Sequence, residues 1–256
     1  MDAMECISTR RSIRRFLNVP VDFETIMTIV EAGSLAPSSG NMQDWKFIVV
    51  DNKELMAKIC EHSLGQECVY NAAFLIVICS DPEQTELHYG LRGARLYTVQ
   101  NCAAAAQNML LAAHAIGLGG TWVGAFDEEK MREILDIPRS ARPQAILAFG
   151  YADEVPDHKR VKDLRVITYF NAYGTTVRNM HHVLKDYSLD WEQRINQAHT
   201  ALDRLKEKTK EKTKQVVEKA TSKSKSDGKG KPAQKKPSFF TKLKQEMDKR
   251  RIDKSK

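Results

Sequence analysis

Apolar side chains fall along this chain in two rhythms, and the switch between them sets the predicted elements. Phe23, Ile26, Met27 and Val30 recur at helical spacing behind Pro20-Val21-Asp22, where Asp22 is placed to cap the first turn, and the helix ends near Gly33. Residues 45–50 form a β-branched run that reads as a buried strand; Asp51-Asn52 then turns the chain into a short helix over 53–62. Residues 72–80 are apolar almost throughout, the pattern of a central strand covered on both faces. A long helix follows over about 91–116, so rich in alanine and so apolar that it belongs in a core or an interface. Asp127 caps a helix over 128–135, and residues 143–151 are a further strand. A short helix opens the chain near Met4. Helices alternating with at least three buried strands place the body in the α+β or α/β class.

Two polar stretches interrupt this pattern. In Arg10-Arg11-Ser12-Ile13-Arg14-Arg15-Phe16, four arginines surround a serine. Their charges repel unless an anion lies among them, and the planar guanidinium suits a phosphate. In Ala36-Pro37-Ser38-Ser39-Gly40-Asn41-Met42-Gln43-Asp44-Trp45, Pro37 and Gly40 turn the backbone between a helix and a strand. This loop presents hydroxyls and amides but, apart from Asp44, no acid, base or metal ligand, so its chemistry is that of holding a flat polar molecule. An ordinary solvated basic face and an ordinary Ser/Asn turn are the plainer readings of the two stretches. Gly117-Leu118-Gly119-Gly120-Thr121-Trp122-Val123-Gly124 allows close backbone approach to a ligand, without the strand–turn–helix context of a dinucleotide fingerprint. A second basic cluster holds Lys159, Arg160 and Lys162. His114, on the long apolar helix, reads as a packed or interface histidine.

Charge changes the picture. The chain of 256 residues carries a net +7, but residues 201–256 hold 20 Lys+Arg and 8 Asp+Glu, a net +12, which leaves residues 1–200 at −5. The basicity belongs to a tail. Residues 1–185 form the folded body, 186–220 a charged helical extension, and 221–256 a Lys-rich low-complexity tail that is largely disordered or helical. Five cysteines without a C-x-x-C pair exclude a zinc or iron–sulfur framework and fit a reducing compartment. With no apolar leader at the start, a cytoplasmic location is expected.

Four segments resemble the FMN-dependent nitroreductase family: Arg10-Arg11-Ser12-Ile13-Arg14-Arg15-Phe16, the polar loop from Ala36 to Trp45, Ala104-Ala105-Ala106-Gln107-Asn108-Met109-Leu110-Leu111-Ala112-Ala113, and Gly117-Leu118-Gly119-Gly120-Thr121-Trp122-Val123-Gly124-Ala125-Phe126. They occur in the family's order over about residues 4–175. The resemblance implies a central mixed sheet flanked by helices, in an intertwined homodimer that binds FMN at the subunit interface. It implies that Arg10, Arg11 and Ser12 grip the phosphate and ribityl chain. Arg14 would lie near the pyrimidine edge of the flavin, stabilising negative charge at N1. Pro37, Ser38, Ser39, Asn41 and Gln43 would reach the ribityl and ring from the partner subunit, Gly119 and Gly120 would approach the isoalloxazine, and Lys159, Arg160 or Lys162 would close on the phosphate. Two positions depart from the family pattern: Asp44 stands where Pro commonly precedes the Trp, and Asn101 where the long helix usually carries an acidic residue. Both bear on the substrate more than on the cofactor.

The implied activity is hydride transfer, in a ping-pong cycle, from NADPH or NADH to a small oxidant such as a nitroaromatic, a quinone or an enone. No catalytic side chain is required, because the cofactor carries the chemistry. The other class of function is a flavin-binding scaffold or regulatory protein whose tail makes a weak, non-specific contact with an anionic partner, a nucleic acid or a membrane surface, or docks on a partner protein.

Overall fold

In the computed structural model, which describes residues 1–157 and 161–176, the fold is organised around β2 (Phe74–Ser80), every residue of which is buried. Because successive side chains of a strand point to opposite faces, Phe74, Ile76 and Ile78 enter one apolar cluster and Leu75, Val77 and Cys79 the other. β4 (Arg142–Gly150) repeats the division, with Leu147 and Phe149 on one face and Ile146 and Ala148 on the other. With β1 (Trp45–Val50) and β3 (Gly119–Val123), these strands make a four-stranded sheet in the order β1-β2-β4-β3. All three strand pairings are antiparallel. The sheet is therefore antiparallel where a mixed one was expected, and the Arg-rich segment adds to it only an isolated parallel bridge between Ser12 and Gly120.

Both faces are covered by helices, giving α+β layering. On one side α2 (Phe23–Ser34) and α6 (Thr98–Ala115) contribute Ile26, Ile29, Ala105, Ala106 and Met109. On the other, α3 (Lys53–Glu61), α4 (Glu67–Asn71) and α7 (Glu128–Leu135) contribute Met56, Ile59, Val69 and Met131. Asp22 and Asp127 cap α2 and α7 as their positions predict, accepting from the N–H groups of Thr25 and of Glu129 and Lys130. α1 (Ala3–Thr9) and the short α8 (Leu164–Ile167) lie at the two ends of the described chain.

The long helix expected over about 91–116 is found as one continuous helical run, made of the end of α5 (Glu83–Arg92), a π-helical turn (Gly93–Tyr97) and α6. Gly90, at φ 60 and ψ −156, separates it from the first part of α5. One element differs from expectation. The glycine-rich run at 117–124 contains β3, because Gly119 and Gly120 are packing positions in a strand. Among the described residues, no helix is long and apolar enough to cross a membrane. Lys159, Arg160 and the segments 186–220 and 221–256 lie outside the described residues.

Candidate functional site

The Arg-rich segment runs extended from the end of α1 and docks on the start of β3. The Ile13 N–H donates to the Gly120 carbonyl at 3.1 Å, and the Leu17 N–H to the Tyr151 carbonyl at 2.9 Å. The contact is tight. A Cβ on Gly119 would fall 2.7–2.9 Å from three Ile13 side-chain atoms, and one on Gly120 2.8 Å from Phe149. The glycines are therefore needed first for the segment to lie on the sheet. Glu154, which the sequence did not single out, holds the segment from the other side: its carboxylate accepts from the N–H groups of Arg14 and Arg15 and pairs with the Arg15 guanidinium. Partial burial alone would raise its pKa, but these bonds hold it below the usual glutamate value.

Arg10 and Arg11 are half-buried beside His114. Neither is in an ion pair among the described residues. Arg11 donates from Nη1 to the Ser8 and Arg10 carbonyls, while its buried Nε has no partner. Burial, then the neighbouring Arg10 charge, pushes the Arg11 pKa below its ordinary value. His114 Nε2 lies 2.8 Å from the Thr9 hydroxyl, whose proton goes to the Glu5 carbonyl, so the network assigns a proton to Nε2. Burial first, then Arg10 and Arg11, lower the His114 pKa to about 4. The local field is thus positive, with a neutral imidazole inside it and an orphaned guanidinium N–H. These residues fit an anion such as a phosphate.

The polar loop is a 3₁₀ turn (Ser39–Asn41) in which Gly40, Asn41 and Gln43 all take positive φ, of 57, 59 and 48. The Gln43 N–H donates to Ser38 Oγ at 3.0 Å, and Gln43 Nε2 to Asn41 Oδ1 at 3.1 Å. Ser39 donates to Asn101 Oδ1 from both its N–H, at 3.0 Å, and its hydroxyl, at 3.3 Å. Among the described residues, the Ser38 hydroxyl proton, the Asn41 Nδ2 donors and the Gln43 Oε1 acceptor are not used by these bonds, a mixed set suited to hydroxyls and ring amides. The two departures from the family pattern meet here: Asn101 Nδ2 donates to Asp44 Oδ1 at 2.9 Å. Pro37 is exposed at the loop's edge, and Lys162 is exposed on a segment remote in sequence from both clusters.

Within one chain the two clusters sit at opposite ends of α6. Cys6 and Thr9 of α1 bond to Leu111 and His114, whereas Ser39 bonds to Asn101. The rise of a helix separates these anchor points by about 15–20 Å. Exposed apolar side chains lie near both ends, Met4 and Ile7 on α1 and Leu87, Leu91 and Val99 on α5 and α6. The buried thiols are not nucleophiles: burial pushes Cys79 up to about 11, and burial with the Asp44 charge pushes Cys102 up to about 12.

The model of the Nitroreductase family matches residues 7–67 and 64–151, a span that includes both clusters, α6 and the whole sheet. A protein of Archaeoglobus fulgidus, provisionally named NADH dehydrogenase/NAD(P)H nitroreductase, is 35% identical over 166 residues, 63% of this chain and 92% of its own. The NADPH-flavin oxidoreductase of Vibrio harveyi is 28% identical over 179 residues, 67% of this chain and 75% of its own. Among solved structures, the FMN-dependent nitroreductase of Clostridium difficile R20291 superposes with a TM-score of 0.58 at 28% identity, over 66% of this chain and 99% of its own. The matched residues, the four-stranded sheet and the anion-ready segment on β3 agree, and this chain belongs to the nitroreductase family.

Proposed function

We propose that this chain, an oxidoreductase of the nitroreductase family, is a cytoplasmic FMN-dependent enzyme that passes hydride from NADPH or NADH to a small oxidant such as a nitroaromatic or a quinone. The observation that carries the reading is the unpaired Arg10–Arg11 cluster, with its buried orphan Nε, held on β3 beside Ser12. FMN supplies the hydride chemistry when bound. Arg10, Arg11 and Ser12 hold its phosphate, with Lys162, Lys159 and Arg160 the further basic groups for that end. Arg14, exposed beyond Ile13, faces the anionic edge of the ring. Ser38, Asn41 and Gln43 offer their outward donors and acceptors to the ribityl hydroxyls and the ring. Ser39 acts indirectly, since its donors are engaged by Asn101.

A flavin gripped by both clusters draws them from two chains. The separation along α6 and the exposed apolar residues near each end support a homodimer in which the arginine segment of one protomer faces the polar loop of its partner. With the flavin as the hydride carrier between donor and oxidant, the two reactants alternate at one site.

The test is the visible spectrum of the purified protein, followed by anaerobic addition of NADPH and then NADH. A flavin band that bleaches with either donor is expected. A band that persists unbleached would favour a flavin-binding scaffold, and a protein that takes up no FMN on incubation would overturn the reading. Arg10→Ala is expected to weaken FMN binding by about tenfold or more, the scale of one charge-assisted hydrogen bond; unchanged occupancy would remove Arg10 from the phosphate site.

A further inference from the structure

A carboxylate is buried at the base of the polar loop with no cation among its hydrogen-bonding partners. Asp44 is 4% exposed. Its Oδ1 accepts from Asn101 Nδ2 at 2.9 Å and its Oδ2 from the Thr85 hydroxyl at 2.6 Å. Its main-chain carbonyl accepts from the Asp81 N–H at 2.7 Å. Thr85 and Asn101 are themselves 0% and 3% exposed. Burying an ionised carboxylate against neutral donors is costly, and a small apolar residue here would avoid that cost. The cost is tolerated where the group fixes something by its geometry.

What Asp44 fixes can be read from its partners. Thr85 belongs to α5, Asn101 to α6, and Asn101 Oδ1 in turn holds the N–H and hydroxyl of Ser39 in the loop. An amide has one acceptor end and one donor end. Because Nδ2 is directed at a carboxylate, which cannot donate, Oδ1 must face Ser39. Thr85 sits under the turn of α5 that carries Tyr89, and the Tyr89 hydroxyl lies over Gly40, where a Cβ would meet it at 2.2 Å. Tyr89 packs edge-on against Tyr97, with ring centroids 5.4 Å apart, and Arg92 Nε donates to the Tyr97 hydroxyl at 3.2 Å.

We propose that Asp44 and Asn101, with Thr85, form a positioning lock that orients the polar loop and sets the Tyr89 cover of α5 against it, so that Ser38, Asn41 and Gln43 face the ligand. The proposal rests on the flavin reading of the loop. Asp44 and Asn101 are positioning residues: they touch the loop and not the ligand.

The test is an exchange of the pair, with every measurement at pH 8. Asn101→Asp sets a second carboxylate against Asp44 and removes the donor between them. The double variant Asp44→Asn/Asn101→Asp restores a complete set, since the amide at 44 donates to the carboxylate at 101, accepts from Thr85, and leaves a carboxylate oxygen for Ser39. Amide hydrogen exchange at Ser39 and Gln43 reports the lock without any cofactor, and FMN affinity and the KM for a quinone report its consequence. In Asn101→Asp, protection at Ser39 is expected to be lost and FMN affinity to fall about tenfold, with both recovered to within about threefold of wild type in the exchanged pair. Thr85→Val, a near-isosteric loss of one donor, is expected to fall between and serves if Asn101→Asp does not fold. Exchange rates that do not change overturn the lock. Changed rates with unaltered FMN affinity and KM reduce it to a purely structural contact and overturn the positioning role. A wild-type protein that binds no FMN overturns the functional reading separately, and the exchange data still decide whether the lock holds the loop.

Discussion

His114 shows how a neutral side chain can sit in a cationic cluster without reacting in it. Its ring bridges α6 to Thr9 of α1 near two guanidinium groups, and its pKa of about 4, lowered by burial and then by Arg10 and Arg11, keeps it neutral above that pH. A charged imidazole there would add a third cation to an unpaired pair. The unfolded chain releases this burden: its histidine titrates near 6.5. Between those two values the unfolded state binds the extra proton, so stability falls as pH is lowered through the window and is fully kept above it. Going from pH 7 to pH 5, the wild type is expected to lose on the order of 1–2 kcal/mol from this residue, discounted for its partial exposure. In His114→Gln, which retains an N–H for Thr9, that pH dependence is expected to flatten. Urea midpoints of both proteins at the two pH values measure it. Glu128 and Glu154, whose pKa values lie below the ordinary 4.5, lose their stabilisation only at lower pH and do not confuse the comparison.

At the scale of elements, the extended segment on β3 is the joint that brings the arginines to the sheet. Gly119→Ala places a Cβ against the branched part of Ile13, which has no flexible end to swing away. Overpacking of this kind costs about 1–3 kcal/mol, a lowering of Tm by several degrees for a chain of this size. FMN binding is expected to weaken with it, because Arg10–Ser12 ride on the same segment. Gly124→Ala, whose Cβ would meet Trp122 only at an ordinary 3.5 Å, is the control and is expected to change neither. The pair also shows why part of this site was illegible in the sequence. Strands β1, β2 and β4, the caps Asp22 and Asp127 and helix α2 carry local signals, namely period, β-branching and a capping side chain, and are legible in the sequence. β3 is not, because glycines that serve close packing look the same as glycines in a turn. Likewise Asp44 and Asn101 could be noticed one at a time as departures from a family pattern. Their pairing, and the contributions of Thr85 and Glu154, depend on contacts between residues 41 to 140 positions apart that no local pattern encodes.

At the scale of the whole molecule, the geometry of α6 makes a stronger claim than a count of subunits. If, as proposed, the arginine cluster and the polar loop, whose anchor points lie about 15–20 Å apart along α6, reach one flavin from different protomers, every site in a homodimer is composite. Lesions in the two clusters must then complement. A protomer carrying Arg10→Ala and a protomer carrying Asn41→Ala/Gln43→Ala each form homodimers with two damaged sites. A heterodimer of the two collects both lesions in one site and leaves the other intact. Random pairing at equal amounts makes about half of all dimers mixed, so flavin occupancy and NAD(P)H-dependent turnover are expected to recover to about a quarter of wild type. Isolating the mixed dimer through two different affinity tags should raise the figure to about half. Full-length chains suffice, and the Lys-rich tail is present in all of them, so it cannot account for a difference. Sites built within one chain would give mixtures no more active than the average of the two parents, and that outcome would remove the partner's loop from the flavin site while leaving the arginine cluster to be judged by Arg10→Ala alone.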